Sequence, residues 1–133
     1  MPSLLLDTKT FLTYLRSPSD LGRTALDRLR AVSPEQVFVS VLTLHSLRRM
    51  NRDGTVSDKE LDELLERLRP TQILEIDLVT RLLADSLDGP LEFRLIAATA
   101  RRRRLTLLAH TTEYDGYNID VIISMKREFP ALP

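Results

Sequence analysis

The chain has 133 residues, no cysteine, and 19 basic against 19 acidic side chains. Such a length suits one domain over residues 1–133. The missing cysteines exclude disulfides, thiolate metal sites and a cysteine nucleophile, and the charge balance argues against a dedicated DNA-binding domain, which is usually basic. Hydrophobic residues make up 43% of the chain, enough for a sizeable core. No apolar run approaches the length of a membrane span. With no signal-peptide pattern either, a cytoplasmic location is expected.

In chain order, residues 3–7 form a short apolar strand that stops at Asp7. Residues 9–17 follow as a helix with Phe11, Leu12 and Leu15 at helical spacing. Pro18 ends it, and Ser19 or Asp20 can cap a second helix through about Arg30. Val37 to Val41 is a second buried strand, rich in β-branched residues, and Thr43 to Met50 reads as helix. Ser57 with Glu60 makes a capping box for an amphipathic helix over 57–69, which Pro70 stops. Gln72 to Glu75 is a third short strand. Asp77 caps a helix to about Ser86, and Pro90 starts another to about Arg103. Leu105–Ala109 and Asp120–Ile123 are the last strands. Strands separated by helices imply parallel pairing and a sheet covered on both faces.

Asp7 is the first site candidate. In open parallel sheets, ligands bind outside the carboxyl ends of the strands, and Asp7 stands at such an end. Asn51 to Glu60 matches the later part of an EF-hand loop. Its first ligand position would be Arg49, however, so a glycine turn followed by a capped helix is the expectation. Arg101, Arg102 and Arg104 belong to the most basic segment. They could meet nucleic-acid phosphates, or complete a helix C-terminus, where cations favour the negative end of the dipole. His45 and His110 are the two histidines, and both read as surface or loop groups. His45 and Ser46 are adjacent on a helix and do not face each other, so the spacing supports no Ser-His-Asp arrangement.

Three segments, in this order of elements, resemble the PIN-domain family, in particular VapC-type toxin ribonucleases. They are Leu5-Leu6-Asp7-Thr8, Val39 to Arg48, and Leu95-Ile96-Ala97-Ala98-Thr99-Ala100 with the strand at Leu105 to Leu108. The resemblance implies a three-layer α/β/α fold around a central, mainly parallel sheet. It also implies an acidic site that holds Mg²⁺ or Mn²⁺ to cleave RNA. Carried over residue by residue, that site survives at Asp7 alone. The family's helix glutamate falls on Ser46, and the aspartate before Ile-Ala-Ala falls on Phe93, with Glu92 one helical step of about 100° away. The asparagine after Asp-Thr falls on Lys9, beside Thr8, and the final acid falls near Glu113 or Asp115. Metal affinity follows ligand charge count, so no cofactor is expected.

Two functions follow. One is a PIN-like protein that has lost metal-dependent cleavage and works by binding, with a second copy of itself, an antitoxin-like protein, or RNA as partner. The alternative is a residual Mg²⁺- or Mn²⁺-dependent ribonuclease toxin using Asp7, Glu113 and Asp115. A third chemistry would pair Ser46 with Lys9 as a nucleophile. Two finer expectations concern contacts. The Lys9 ammonium reaches the Asp7 carboxylate, directly or through one water, and surplus leucines on the helices at 9–17 and 57–69 form a homodimer interface.

Overall fold

The computed structural model describes residues 2–126. Its strands are β1 (Leu4–Leu6), β2 (Val37–Ser40), β3 (Ile73–Leu74), β4 (Thr106–Ala109) and β5 (Val121–Ile123). Its α-helices are α1 (Thr8–Arg16), α2 (Arg23–Ala31), α3 (Val41–Arg52), α4 (Asp58–Glu66), α5 (Leu78–Asp85) and α6 (Leu91–Arg103). The strands form one sheet in the order β3-β2-β1-β4-β5, and every strand pairing in it is parallel.

Alternation along β1 makes two cores from one strand. Leu4 and Leu6 face Phe11, Leu12, Leu29, Leu47 and Leu64, the packing residues of α1 to α4. Leu5 faces the other way, onto Ile96, Ala97 and Ala100 of α6. The small side chains of Ala97 and Ala100 let α6 sit close against the sheet, and both are buried. Helices cover both faces, which gives the three-layer α/β/α arrangement.

Caps set several boundaries. Asp7 accepts from Thr10 N at the start of α1. Ser57 accepts from Glu60 N and Asp77 from Thr80 N, as their sequence positions indicate. The Glu60 side chain does not close the capping box and pairs with Arg16. Ser40 caps α3 by accepting from Leu42 N, so this helix begins at Val41, two residues before Thr43, and β2 ends at Ser40. Ser19 and Asp20 cap nothing. They lie in a 3₁₀ turn over Pro18–Asp20, and Gly22 is the N-cap of α2. After α3, Asp53 Oδ1 accepts from Thr55 N and Oγ1 while Gly54 takes a left-handed φ of 87°, a glycine turn before a capped helix.

The leucines expected to be in surplus are mostly used inside. Leu12 and Leu64 are buried, and Leu15, Leu61 and Leu68 pack half-buried against the core. The large exposed apolar residues are instead Leu78, Val79 and Leu82 of α5 and Leu91 of α6. No helix among the described residues is long and apolar enough to cross a membrane.

Candidate functional site

The topology fixes where a site should lie. From β1 the chain moves outward to β2 on one side, and from β4 to β5 on the other. The crevice beyond the carboxyl ends of β1 and β4 is therefore the switch point, where open sheets place their ligands. Asp7 directly follows β1 and His110 directly follows β4. Hydrogen bonding in the parallel ladder brings these two positions side by side.

They are joined tightly. Asp7 is buried. Its Oδ2 accepts from the backbone N–H of His110 at 2.8 Å and lies 2.5 Å from His110 Nδ1. Its Oδ1 accepts from Thr10 N at 2.8 Å. Burial alone would push the Asp7 carboxyl up, but the hydrogen bonds from His110 and Thr10 outweigh it and hold the pKa below the ordinary value. The same contact with Asp7 pushes the His110 imidazole up, against its partial burial. The pair thus has its carboxylate inside, held by hydrogen bonds, and its ring at the surface.

A cleft of about 460 Å³ opens beside this pair, lined by Thr8, Lys9, Ser46, Arg49, Met50, Asp53, Glu92 and His110. Thr8 Oγ1 meets Thr43 Oγ1 of α3 at 3.0 Å, which ties α1 to α3 at the cleft floor. Ser46 is buried on α3, and its hydroxyl accepts from Arg49 Nη2 at 3.3 Å. Ser46 is hydrogen-bonded to Arg49 and not to Lys9, so the serine–lysine nucleophile is not assembled.

Several sequence assignments change position here. Lys9 lines the cleft and makes no direct hydrogen bond to Asp7; His110 holds that carboxylate. His110, read from sequence as a bland loop residue, is the carboxylate's hydrogen-bond partner. Phe93 does not face the cleft. Its ring meets Tyr114 edge-on with centroids 5.1 Å apart, as part of the α6-side core. The neighbouring Glu92 is the residue that lines the cleft. Its charge is felt by Tyr114, whose hydroxyl pKa is pushed up by burial first, then by Asp7 and Glu92.

Glu113 and Asp115 lie exposed in a 3₁₀ turn over Thr112–Tyr117 and do not line the cleft, although the charge of Glu113 reaches His110. The arginine cluster is elsewhere. Arg101 and Arg104 line a separate depression with Thr106, at the amino end of β4 and so at the opposite edge of the sheet. Arg102 pairs with Asp77. None of them joins Asp7.

These residues do not fit a divalent cation. Among the described residues, no group of three or more His, Asp or Glu is placed to hold a metal ion. Both Asp7 oxygens already accept N–H groups, and a hard cation needs several oxygens with free lone pairs.

The pair makes stability depend on pH in two directions. The Asp7 contribution is complete above its ordinary value of 3.8 and is lost as pH falls through its lowered native pKa. The His110 contribution is complete below its ordinary value of 6.5 and is lost as pH rises through its raised native pKa. Unfolding free energy is therefore expected to be greatest between about pH 4 and 6.5. Urea titrations across pH check this. In His110→Asn the decline above pH 6.5 should be reduced.

No protein-family model and no curated protein matches the sequence. Solved structures do match. A FitAB complex bound to a DNA fragment is similar at 20% identity and a TM-score of 0.68, over 90% of this chain and 93% of that one. A toxin–antitoxin complex from Klebsiella pneumoniae is similar at 21% identity and 0.67, over 90% and 96%. The sarcin-ricin loop cleaving toxin VapC20 of Mycobacterium tuberculosis is similar at 17% identity and 0.61, over 88% and 96%. Sheet order, helix placement and these likenesses agree: the chain has the fold of the VapC/FitB-type PIN-domain toxins.

Proposed function

We propose that this protein works by binding an antitoxin-like partner in the cytoplasm and does not cleave RNA with a divalent metal. The observation that carries the reading is the closure of Asp7 by His110 and Thr10. A metal-dependent nuclease needs that carboxylate free, together with other acids, to hold the ion that activates water.

Partner binding is supported by shape. A groove of about 220 Å³ runs between α1, α2 and the end of α4, lined by Phe11, Tyr14, Leu15, Leu29, Val32 and Leu68, with Arg67 among its polar lining. Such an apolar groove suits an amphipathic helix inserting anchors at i, i+3, i+4 and i+7. The FitAB and Klebsiella pneumoniae neighbours are themselves complexes, the second a toxin–antitoxin complex.

One observation favours the alternative reading, a residual ribonuclease: Asp53 and Glu92 both line the cleft beside Asp7. An RNA cleavage assay in Mg²⁺ and Mn²⁺ decides between them. The binding reading expects no turnover above an EDTA control. Turnover by the wild type that is abolished in Asp7→Asn would overturn it. On the partner side, the complex isolated from the native cell should dissociate in Leu15→Asp with Leu68→Asp. A complex that persists in this folded variant would place the partner elsewhere.

A homodimer remains part of this proposal, on a different surface from the one expected. Leu78 and Leu82 lie one turn apart on α5 and are 69% and 60% exposed, with Val79 and Leu91 also exposed. Clustered apolar exposure of this kind marks an interface. Arg81 and Asp85 follow one helical turn apart beside it, so a two-fold axis can set each arginine against the other copy's aspartate. Sedimentation should show a dimer for the wild type and a monomer for Leu78→Asp with Leu82→Asp. A wild-type monomer at high micromolar concentration would contradict the pairing.

A further inference from the structure

We infer that His110 closes the Asp7 site, its backbone N–H and ring together holding the oxygen that a divalent ion would need. The inference rests on the binding reading above and names what keeps metal out. Asp7 stands at the switch point of the sheet, the one place in the fold where a carboxylate would be expected to serve a ligand. It serves a side chain of its own protein instead. Three N–H contacts converge on its two oxygens, from Thr10 N, His110 N and His110 Nδ1, at 2.8, 2.8 and 2.5 Å. An ionised carboxylate offers about four lone-pair sites, so little is left for a cation.

The backbone and the ring act differently. The His110 amide is fixed by its place directly after β4 and holds Oδ2 whatever the side chain is. The ring is a second contact on that same oxygen, and it is the one that can carry a positive charge. A ring nitrogen already in contact with a carboxylate oxygen fills a position that a cation would have to take. A divalent ion must therefore displace the ring, lose its own hydration, and find further ligands from Glu92 across the cleft. Lys9 and Arg49 on the same cleft add positive charge against it. Glu113 and Asp115 lie exposed on the 3₁₀ turn and do not line the cleft.

Removing only the ring separates the two roles. In His110→Ala the amide contact and the α1 cap persist, one Asp7 oxygen is relieved, and the carboxylate loses the ring. Asp7 then has one contact fewer beside a cleft that Asp53, Glu92, Lys9 and Arg49 line. Because affinity for hard cations follows ligand charge, Mn²⁺ affinity should rise at least tenfold over the wild type, and further with Lys9→Asn added. His110→Asn provides the same test with a polar side chain should the alanine variant fail to fold.

The test is an Mn²⁺ titration followed by electron paramagnetic resonance, with nitrogen-15 NMR of the His110 ring in millimolar Mg²⁺. The expected result is weak Mn²⁺ binding by the wild type and at least tenfold tighter binding by the variant. The wild-type Nδ1 proton should stay unchanged by Mg²⁺. Equal Mn²⁺ affinity in both proteins, or loss of the Nδ1 proton on adding Mg²⁺, would overturn the inference. The outcomes are separable from the function proposed above. A partner complex that persists in Leu15→Asp with Leu68→Asp would defeat the groove assigned to the partner and leave the role of His110 intact, whereas equal metal affinity defeats this inference and leaves partner binding intact.

Discussion

Asp7→Ala is expected to lower the unfolding free energy by about 2–4 kcal/mol in EDTA. Three contacts are lost at once. The α1 N-cap disappears, worth about 0.5–2 kcal/mol. The His110 backbone N–H loses its acceptor, at about 1–3 kcal/mol if left buried and unpaired. The His110 ring loses its partner, a smaller effect because its side chain is 41% exposed and water can replace the carboxylate. The sign is the informative part. A carboxylate held ready for an absent cation is a strained feature, and its removal commonly stabilises a fold. Urea unfolding of wild type and variant measures the difference. Equal or greater stability of the variant would indicate a carboxylate kept for a ligand.

Phe93→Asp is expected to destabilise by about 2–4 kcal/mol and to add no metal affinity. Aligned by motif, this substitution restores a missing acid. In the fold, the ring is half-buried on the α6-side core and packs edge-on against Tyr114, which is itself buried. A carboxylate there would face Tyr114 and not Asp7. Full removal of a core phenylalanine costs about 3–5 kcal/mol. Partial exposure lowers that figure, and the charge restores some of it. Thermal or urea denaturation with an Mn²⁺ titration beside it checks both halves. A stable variant that binds Mn²⁺ would mean that position 93, not Glu92, faces the site.

Much of the fold was legible because it rests on local signals. The apolar run ending at Asp7, the β-branched run at Val37, and the caps at Ser57 and Asp77 each use neighbours a few residues apart. They placed the elements in order and within about two residues. Where a boundary slipped, a competing local bond explains it. Ser40 caps α3 two residues early, and a 3₁₀ turn takes Ser19 and Asp20 out of use, so that Gly22 caps α2.

The site was legible only in its anchor. Asp7 could be read from its strand, but its partner lies 103 residues away, and no periodicity connects the two. The available signal was topological. His110 follows a strand that must lie beside the first one, at the same edge of the sheet. Lys9 was assigned the contact because it is near in sequence, yet its exposed side chain leaves Asp7 to a residue that the sheet brings closer. Glu92 and Phe93 were exchanged because helix phase at a first turn depends on where the helix begins. Here Pro90 is the N-cap and packing against Tyr114 sets the rotation.

A crystal of the wild-type protein soaked in Mn²⁺ and measured by anomalous diffraction tests the central claim most directly. The account predicts His110 Nδ1 in hydrogen-bond contact with Asp7 Oδ2 and no anomalous peak within coordination distance of that carboxylate. An Mn²⁺ ion bound to Asp7, with the His110 ring turned away and Glu92 drawn in as a second ligand, would contradict it.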